Sequence, residues 1–152
     1  PESQLDRFLM RIELGYPDPK SERALLEGED RRVLLASLSA KMDAPQLLGA
    51  QRLVREIHCA PALLDYVQNL LAFSRRSPAF SEGLSPRAGL ALLQAARAWA
   101  LLDGRNHVLP DDVQAVITAV AGHRLRPAKG GAASHRARAE LVAGLVKGVA
   151  VP

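Results

Sequence analysis

The apolar positions of the chain follow two different periods. Phe8, Met10, Ile12 and Leu14 alternate with Leu9, Arg11 and Glu13, a period of two that predicts a short strand. Gly15 and the Pro17–Asp18–Pro19 cluster stop it. A lone strand buries nothing and leaves both ladder edges open, so it either pairs with something outside this stretch or packs idiosyncratically within it. After Asp18 the pattern turns helical. Pro19 suits a first helical turn, and Ala24, Leu25 and Gly28 mark the body and end of a short helix. Val33, Leu34, Leu35 and Leu38 form a brief apolar patch, followed by a polar loop through Lys41 and Asp43. Pro45 opens a helix carrying Leu47, Leu48, Leu53, Val54 and Ile57. Pro61 opens another, with Leu63, Leu64, Val67, Leu70, Leu71 and Phe73 inward and Arg75–Arg76 at its electronegative C-terminal end.

Residues 77–84 read as a loop. Ser85–Pro86 is an N-cap followed by proline at the first helical position, and that helix runs to about Asp103, where Gly104 suits a left-handed C-cap. Its alanines allow close helix approach, with Leu92, Leu93, Trp99 and Leu102 as bulkier anchors. Pro110–Asp111–Asp112 starts a helix with Val113, Val116, Ile117 and Val120 that ends near Gly122; a last helix around 137–148 carries Leu141, Val142, Leu145 and Val149. The expected architecture is mainly α, a bundle of five or six helices of roughly 10–18 residues with short loops.

Composition strengthens the helical reading. Of 152 residues, 25 are Ala and 25 Leu, against 14 Val plus Ile and a single Thr. Ala and Leu lose little entropy in helices, whereas strands favour β-branched and aromatic side chains. The 48% apolar content is enough for a core and argues against intrinsic disorder. No apolar run approaches the ~18 residues of a membrane span, and the chain lacks a basic-then-apolar leader, so a soluble cytoplasmic protein is expected. Starting at Pro1 rather than Met, it also reads as a piece of something longer.

The net charge of +4 is unevenly distributed. Residues 1–122 hold 14 Lys/Arg and 15 Asp/Glu, whereas 123–138 hold five bases (Arg124, Arg126, Lys129, Arg136, Arg138) and no acid. The segment contains Gly, Ala and Pro but no aromatic residue for base stacking. It reads as a solvated connector; the alternative is a helical nucleic-acid-binding or protein-docking module that uses 123–138.

Most catalytic constellations are missing. There is no GxxxxGK[ST] phosphate loop, and no apolar strand ends in Asp–Glu to hold magnesium. The four histidines form no HExxH or i,i+4 pair. Cys59 follows His58, but helical neighbours diverge by about 100° and do not make a nucleophile–base pair, so a buried, inert thiol is expected.

Two motifs do carry chemistry. Gly83-Leu84-Ser85-Pro86-Arg87-Ala88 puts an arginine in the first turn of the long Ala/Leu helix, where free N–H groups and the helix dipole attract anions and a guanidinium adds a planar fork for phosphate oxygens. Glu2-Ser3-Gln4-Leu5-Asp6-Arg7-Phe8 precedes the alternating segment.

With PESQLDRFLMRIELGYP, LLDYVQNLLAFSRRSP, GLSPRAGLALLQAARAWALLDGRNHVLPDDV, GHRL and VKGVAVP in this order, the chain resembles the C-terminal part of a MoxR-type AAA+ ATPase. The resemblance implies that residues 1–17 are the tail of an α/β core and 18–152 the helical lid, the core carrying the phosphate loop and the acidic Mg2+ site. Arg7 matches the family's arginine finger, directed at the γ-phosphate held by a neighbouring subunit. Arg87 matches the sensor-2 arginine, and Ser85 with it would face the ATP bound by the chain's own core. Asp6 would orient Arg7 or bridge subunits. The implied assembly is a hexameric homo-oligomeric ring that remodels a client protein, in some cases with a von Willebrand factor A-domain partner. The implied cofactor is ATP, which this stretch alone would not bind tightly.

Overall fold

Local capping chemistry starts most of the helices where proline and small polar residues stand. The computed structural model describes residues 2–28, 30–128 and 135–152. In chain order they form α1 (Glu2–Leu5), α2 (Pro19–Glu27), α3 (Arg31–Ser37), α4 (Ala44–Glu56), α5 (Pro61–Arg76), β1 (Phe80–Glu82), α6 (Pro86–Leu102), α7 (Pro110–Ala121), β2 (Arg126–Pro127) and α8 (His135–Lys147). Asp18 accepts from the N–H groups of Lys20 and Ser21, both at 3.0 Å, and so starts α2. Asp43 and Gln46 form a reciprocal capping box at α4, with side chain to backbone bonds of 2.7 and 2.8 Å. The mainly helical architecture read from the sequence is the observed one.

The chain divides into two units, residues 2–11 with 51–152, and residues 12–50. The larger unit holds the core. Its interior is formed by Leu63, Tyr66, Val67 and Leu70 of α5, the alanine face of α6 (Ala88, Ala91, Ala95, Ala96, Ala100) with Leu92, and Val113, Val116, Ile117 and Val120 of α7; Val142 and Leu145 of α8 complete it. Small side chains along α6 let helices approach closely, as the sequence suggested. Trp99 and Leu102, read as anchors, are instead exposed. The chain returning from α6 packs over Ala100, whose carbonyl accepts from the Arg105 N–H at 2.9 Å, and leaves the indole outside. Tyr66 takes a core place that the pattern did not assign, and its hydroxyl accepts from Gln114 Nε2 at 3.3 Å.

The α6–α7 turn is a latch. Gly104 adopts φ +74°, a left-handed conformation that side chains resist. The chain can then reverse, and Arg105 lays its fork on the buried Asp112, with Nη1 at 2.8 Å and Nη2 at 2.5 Å from the two carboxylate oxygens. Asp112 also accepts from the Leu109 N–H at 2.7 Å, closing the start of α7. The Arg105 hydrogen bonds hold the Asp112 carboxyl below the usual carboxylate range despite its burial. Beside this turn, His58 N–H donates to Asn106 O and Val108 N–H to His58 O, each at 2.9 Å.

Two expectations are corrected here. Residues 77–84 contain β1, which pairs antiparallel with β2 through Phe80↔Pro127 and Glu82↔Arg126; a ladder this short, between segments far apart in sequence, leaves no local signal. The alternating 8–14 segment forms no strand among the described residues. The Arg11 N–H that a ladder would use donates instead to Ala119 O of α7 at 2.8 Å, because a helix end rather than a strand edge lies beside it.

In the smaller unit, α2, α3 and the first half of α4 are well capped, yet they bury no side chain. Arg23 and Glu27 pair along α2 at 2.7 Å, and Arg31 reaches the Ala24 carbonyl at 3.3 Å.

Candidate functional site

The GLSPRA motif is held from α5. Gly83 passes so close to Arg75 that a Cβ on it would lie 2.6 Å from the Arg75 Cα, so only glycine fits without backbone movement. The next residue is pinned on both sides: Leu84 N–H donates to Ser74 Oγ at 2.9 Å, and Arg75 Nε donates to Leu84 O at 2.9 Å. This fixes Ser85 at the N-cap of α6, where its hydroxyl accepts from the Ala88 N–H at 3.2 Å. Pro86 follows as the first helical residue, and Arg87 projects from the first turn with 59% of its side chain exposed.

The LDRF segment docks on the same end of α6. Ser85 Oγ donates to the Asp6 carboxylate, 3.1 Å from each oxygen, and Arg87 Nη1 lies 3.9 Å from Asp6 Oδ2. Arg124, just beyond α7, completes the arrangement. Its Nε donates to Asp6 Oδ1 at 3.0 Å, Nη2 to Asp6 O at 3.1 Å and to Phe8 O at 2.5 Å, and Nη1 to Leu9 O at 3.2 Å and to Val120 O. Only 4% of the Arg124 side chain is exposed. A buried guanidinium is tolerable because its N–H groups find partners and a carboxylate balances its charge. Arg7 itself is exposed, and its side chain has no hydrogen bond or ion pair among the described residues.

The structure thus brings Asp6, Ser85 and Arg87 together and turns Asp6 toward α6 and Arg124, not toward Arg7. Arg124 was the residue that sequence reasoning misplaced. The sequence pattern makes it part of a solvated basic connector, whereas it is an internal strut. The signal available was its position directly after His123 at the end of α7, where a long side chain can fold back over the core. His123 is partly buried beside it: Nδ1 lies 3.2 Å from Ala119 O, and Nε2 is buried with no partner among the described residues. Burial first, and the Arg124 charge second, hold the imidazole below its ordinary value of 6.5.

Among the described residues, the bases of this segment are divided between different partners. Arg124 is internal, Arg126 lies 3.8 Å from Glu82, and Arg136 pairs with Glu140 at 2.9 Å within α8. Residues 129–134, including Lys129, lie outside the described residues. Cys59, expected to be buried, is partly exposed and accepts from Arg97 Nε at 3.3 Å. Among the described residues there is no cluster of His, Cys, Asp and Glu suited to a metal ion, and no helix is long and apolar enough to cross a membrane.

Chemically, this end of α6 offers the positive end of a helix dipole and an exposed guanidinium, a set that fits phosphate oxygens. Residues 72–143 match the AAA lid domain family. The chain is 37% identical over 137 residues to the chaperone MoxR1 of Mycobacterium tuberculosis, with 82% of this chain and 35% of that protein covered. It is 34% identical over 145 residues to the protein MoxR of Paracoccus denitrificans, covering 82% and 42%. The chain belongs to the MoxR-type AAA+ ATPases. It is a lid region of that family, and the curated relatives it matches are more than twice as long as the stretch they share with it. It is also 32% identical over 125 residues to YeaC of Bacillus subtilis, covering 82% of this chain and 39% of that protein. A crystal structure described as a "putative ATPase" from Cytophaga hutchinsonii shares the fold, with a TM-score of 0.75 and 24% identity, over 100% of this chain and 49% of that one. The latch Gly104-Arg105…Pro110-Asp111-Asp112 and the GLSPRA cap therefore organise an AAA lid.

Proposed function

We propose that this chain contributes two arginines to ATP hydrolysis in the full-length protein. Arg87 acts as the sensor-2 residue toward ATP held by the same subunit's core, with Ser85 setting the start of its helix, and Arg7 acts as the finger toward ATP in the adjacent subunit of a homo-oligomeric ring. The observation that carries this reading is the placement of Arg87: a largely exposed guanidinium in the first turn of a rigidly capped helix, with only a 3.9 Å approach from Asp6. ATP supplies the γ-phosphate, whose charge spreads over its oxygens during transfer, and Mg2+ would be held by the core. The residues of this chain bind and orient. An arginine supplied in trans is worth about 10³–10⁵ in rate for phosphoryl transfer. Hydrolysis would change the lid's position and drive remodelling of a client protein, in a hexamer and with a von Willebrand factor A-domain partner where the family uses one.

The test uses the full-length protein. Arg7→Ala and Arg87→Ala should each cripple ATP turnover. Rings mixed from Arg7→Ala subunits and phosphate-loop mutant subunits should regain activity only as far as chance arrangement places a good finger beside a good site. Wild-type turnover in both single variants would defeat the assignment. The 152-residue chain alone should show no ATPase activity.

A further inference from the structure

Among the described residues, Arg124 is the one best placed to determine where Arg7 points. Its guanidinium takes the backbone carbonyls on either side of Arg7, those of Asp6 and Phe8, together with the Leu9 carbonyl and the Asp6 carboxylate. The same Asp6 carboxylate is bonded to Ser85, the N-cap of the helix that carries Arg87. We infer that Arg124 is a positioning residue: it locks the backbone around Arg7 to α7 and, through Asp6 and Ser85, to the N-terminus of α6, so that the two phosphate-directed arginines move as one body.

The chemistry fits that role. Residues 6–9 have little helix or strand structure of their own to fix them, and Arg7 N–H is satisfied only locally, by Gln4 O at 3.1 Å. A planar fork with donors spread over three nitrogens holds several carbonyls in a fixed geometry, whereas the three donors of an ammonium radiate from one point on a flexible stem. The strut is itself anchored at its base, since Arg124 also donates to Val120 O and its backbone N–H donates to Ala121 O at 2.9 Å. The consequence is communication between sites. A shift of α6 that follows the nucleotide seen by Arg87 is carried through Ser85, Asp6 and Arg124 to the residue presented to the next subunit.

This inference rests on the proposed finger role of Arg7, and the experiment separates the two. In the full-length protein, Arg124→Met keeps the apolar stem and removes every side-chain donor. It is compared with Arg7→Ala and with the double variant, by steady-state ATPase and by binding of a fluorescent ADP analogue. Misplacing a catalytic group by about 1 Å can cost about 100-fold. We expect Arg124→Met to lower kcat by about 10- to 100-fold with ADP affinity kept within about twofold, and the double variant to be no slower than Arg7→Ala alone, since residues acting in one chain of contacts are not additive. A wild-type kcat in Arg124→Met beside a crippled Arg7→Ala would overturn this inference and leave the finger standing. A double variant slower by the product of the single effects would also overturn it, because Arg124 would then act elsewhere. A fully active Arg7→Ala would remove both. If Arg124→Met does not fold, Asp6→Asn enters the same cycle with the same criteria and a smaller expected loss.

Discussion

The two units of this chain are built from similar residues and end up in different physical states. Residues 12–50 and the helices α5–α7 both show leucine-rich helical patterns between proline and small polar caps. Yet Leu70 and Ala96 are fully buried, while Leu26 is 84% exposed and Tyr16 is 100% exposed. Helix starts are capped in both, by Asp18, Asp30 and the Asp43–Gln46 box in residues 12–50 and by Ser85 at α6. What differs is whether the apolar stripe of each helix meets another. An amphipathic pattern specifies which face of a helix seeks cover but not what covers it, and most of a helix's stability in water comes from that packing.

The largest test of this contrast is a pair of leucine truncations. Leu70→Ala should cost about 2–5 kcal/mol, as for a filled core site, whereas Leu26→Ala should change stability by less than about 0.5 kcal/mol. Urea unfolding followed by circular dichroism measures both, and equal effects would dissolve the contrast. Next in size is Gly83→Ala. The added methyl meets the Arg75 backbone rather than a yielding side-chain tip, and a loss of about 1–3 kcal/mol is expected, with weaker amide protection in the first turn of α6. Asp112→Ala removes the partner of the Arg105 fork and the cap on Leu109; a destabilisation of about 2 kcal/mol follows from the lost charge-assisted hydrogen bonds. Asp111→Ala, on the exposed side of the same turn, should cost far less.

A smaller effect is expected from pH. Because the folded state holds His123 below its ordinary value of 6.5, the unfolded chain binds that proton more readily, so stability falls as the pH drops through 6.5 and is fully present above it. His123→Gln should flatten this part of the profile; an unchanged slope between pH 7.5 and 5 would assign the titration to another group. Asp112, with its lowered value, contributes only at more acidic pH. Smallest for the whole chain, Asp18→Ala should fray α2 and speed exchange of the Lys20 and Ser21 amides without moving the main unfolding transition, because α2 buries no side chain.

Much of the fold was legible before any coordinates. Pro19, Pro45, Pro61, Ser85–Pro86 and Pro110 each stand within a residue of a helix start, and Gly104 has the left-handed conformation that its place after α6 suggested. These signals are local: a cap, a ring or a missing Cβ acts on its own few residues. The candidate site was only half legible. Arg87 could be placed because its helix start is encoded beside it, and the neighbourhood of Asp6 could not, because its partners stand at 85 and 124. The alternation at 8–14 misled for the same reason. Period two records which side chains share a face, and whether a strand forms depends on a neighbour that the segment does not contain.

The amino-acid order on its own determined the longer helices and their proline- or glycine-marked ends, though not the short α1 and α3, together with the exposed arginine of the SPRA turn and the lid family that this turn and the DGR–P–DDV latch mark. Tertiary structure alone decided that Trp99 lies outside while Tyr66 lies within, that Phe80 pairs with Pro127, and that Arg124 is a strut instead of part of a basic surface. The division follows the range of the forces. Capping and backbone conformation act over three or four residues and are written in sequence, whereas burial and the pairing of a hidden charge depend on groups far apart along the chain that only folding brings together.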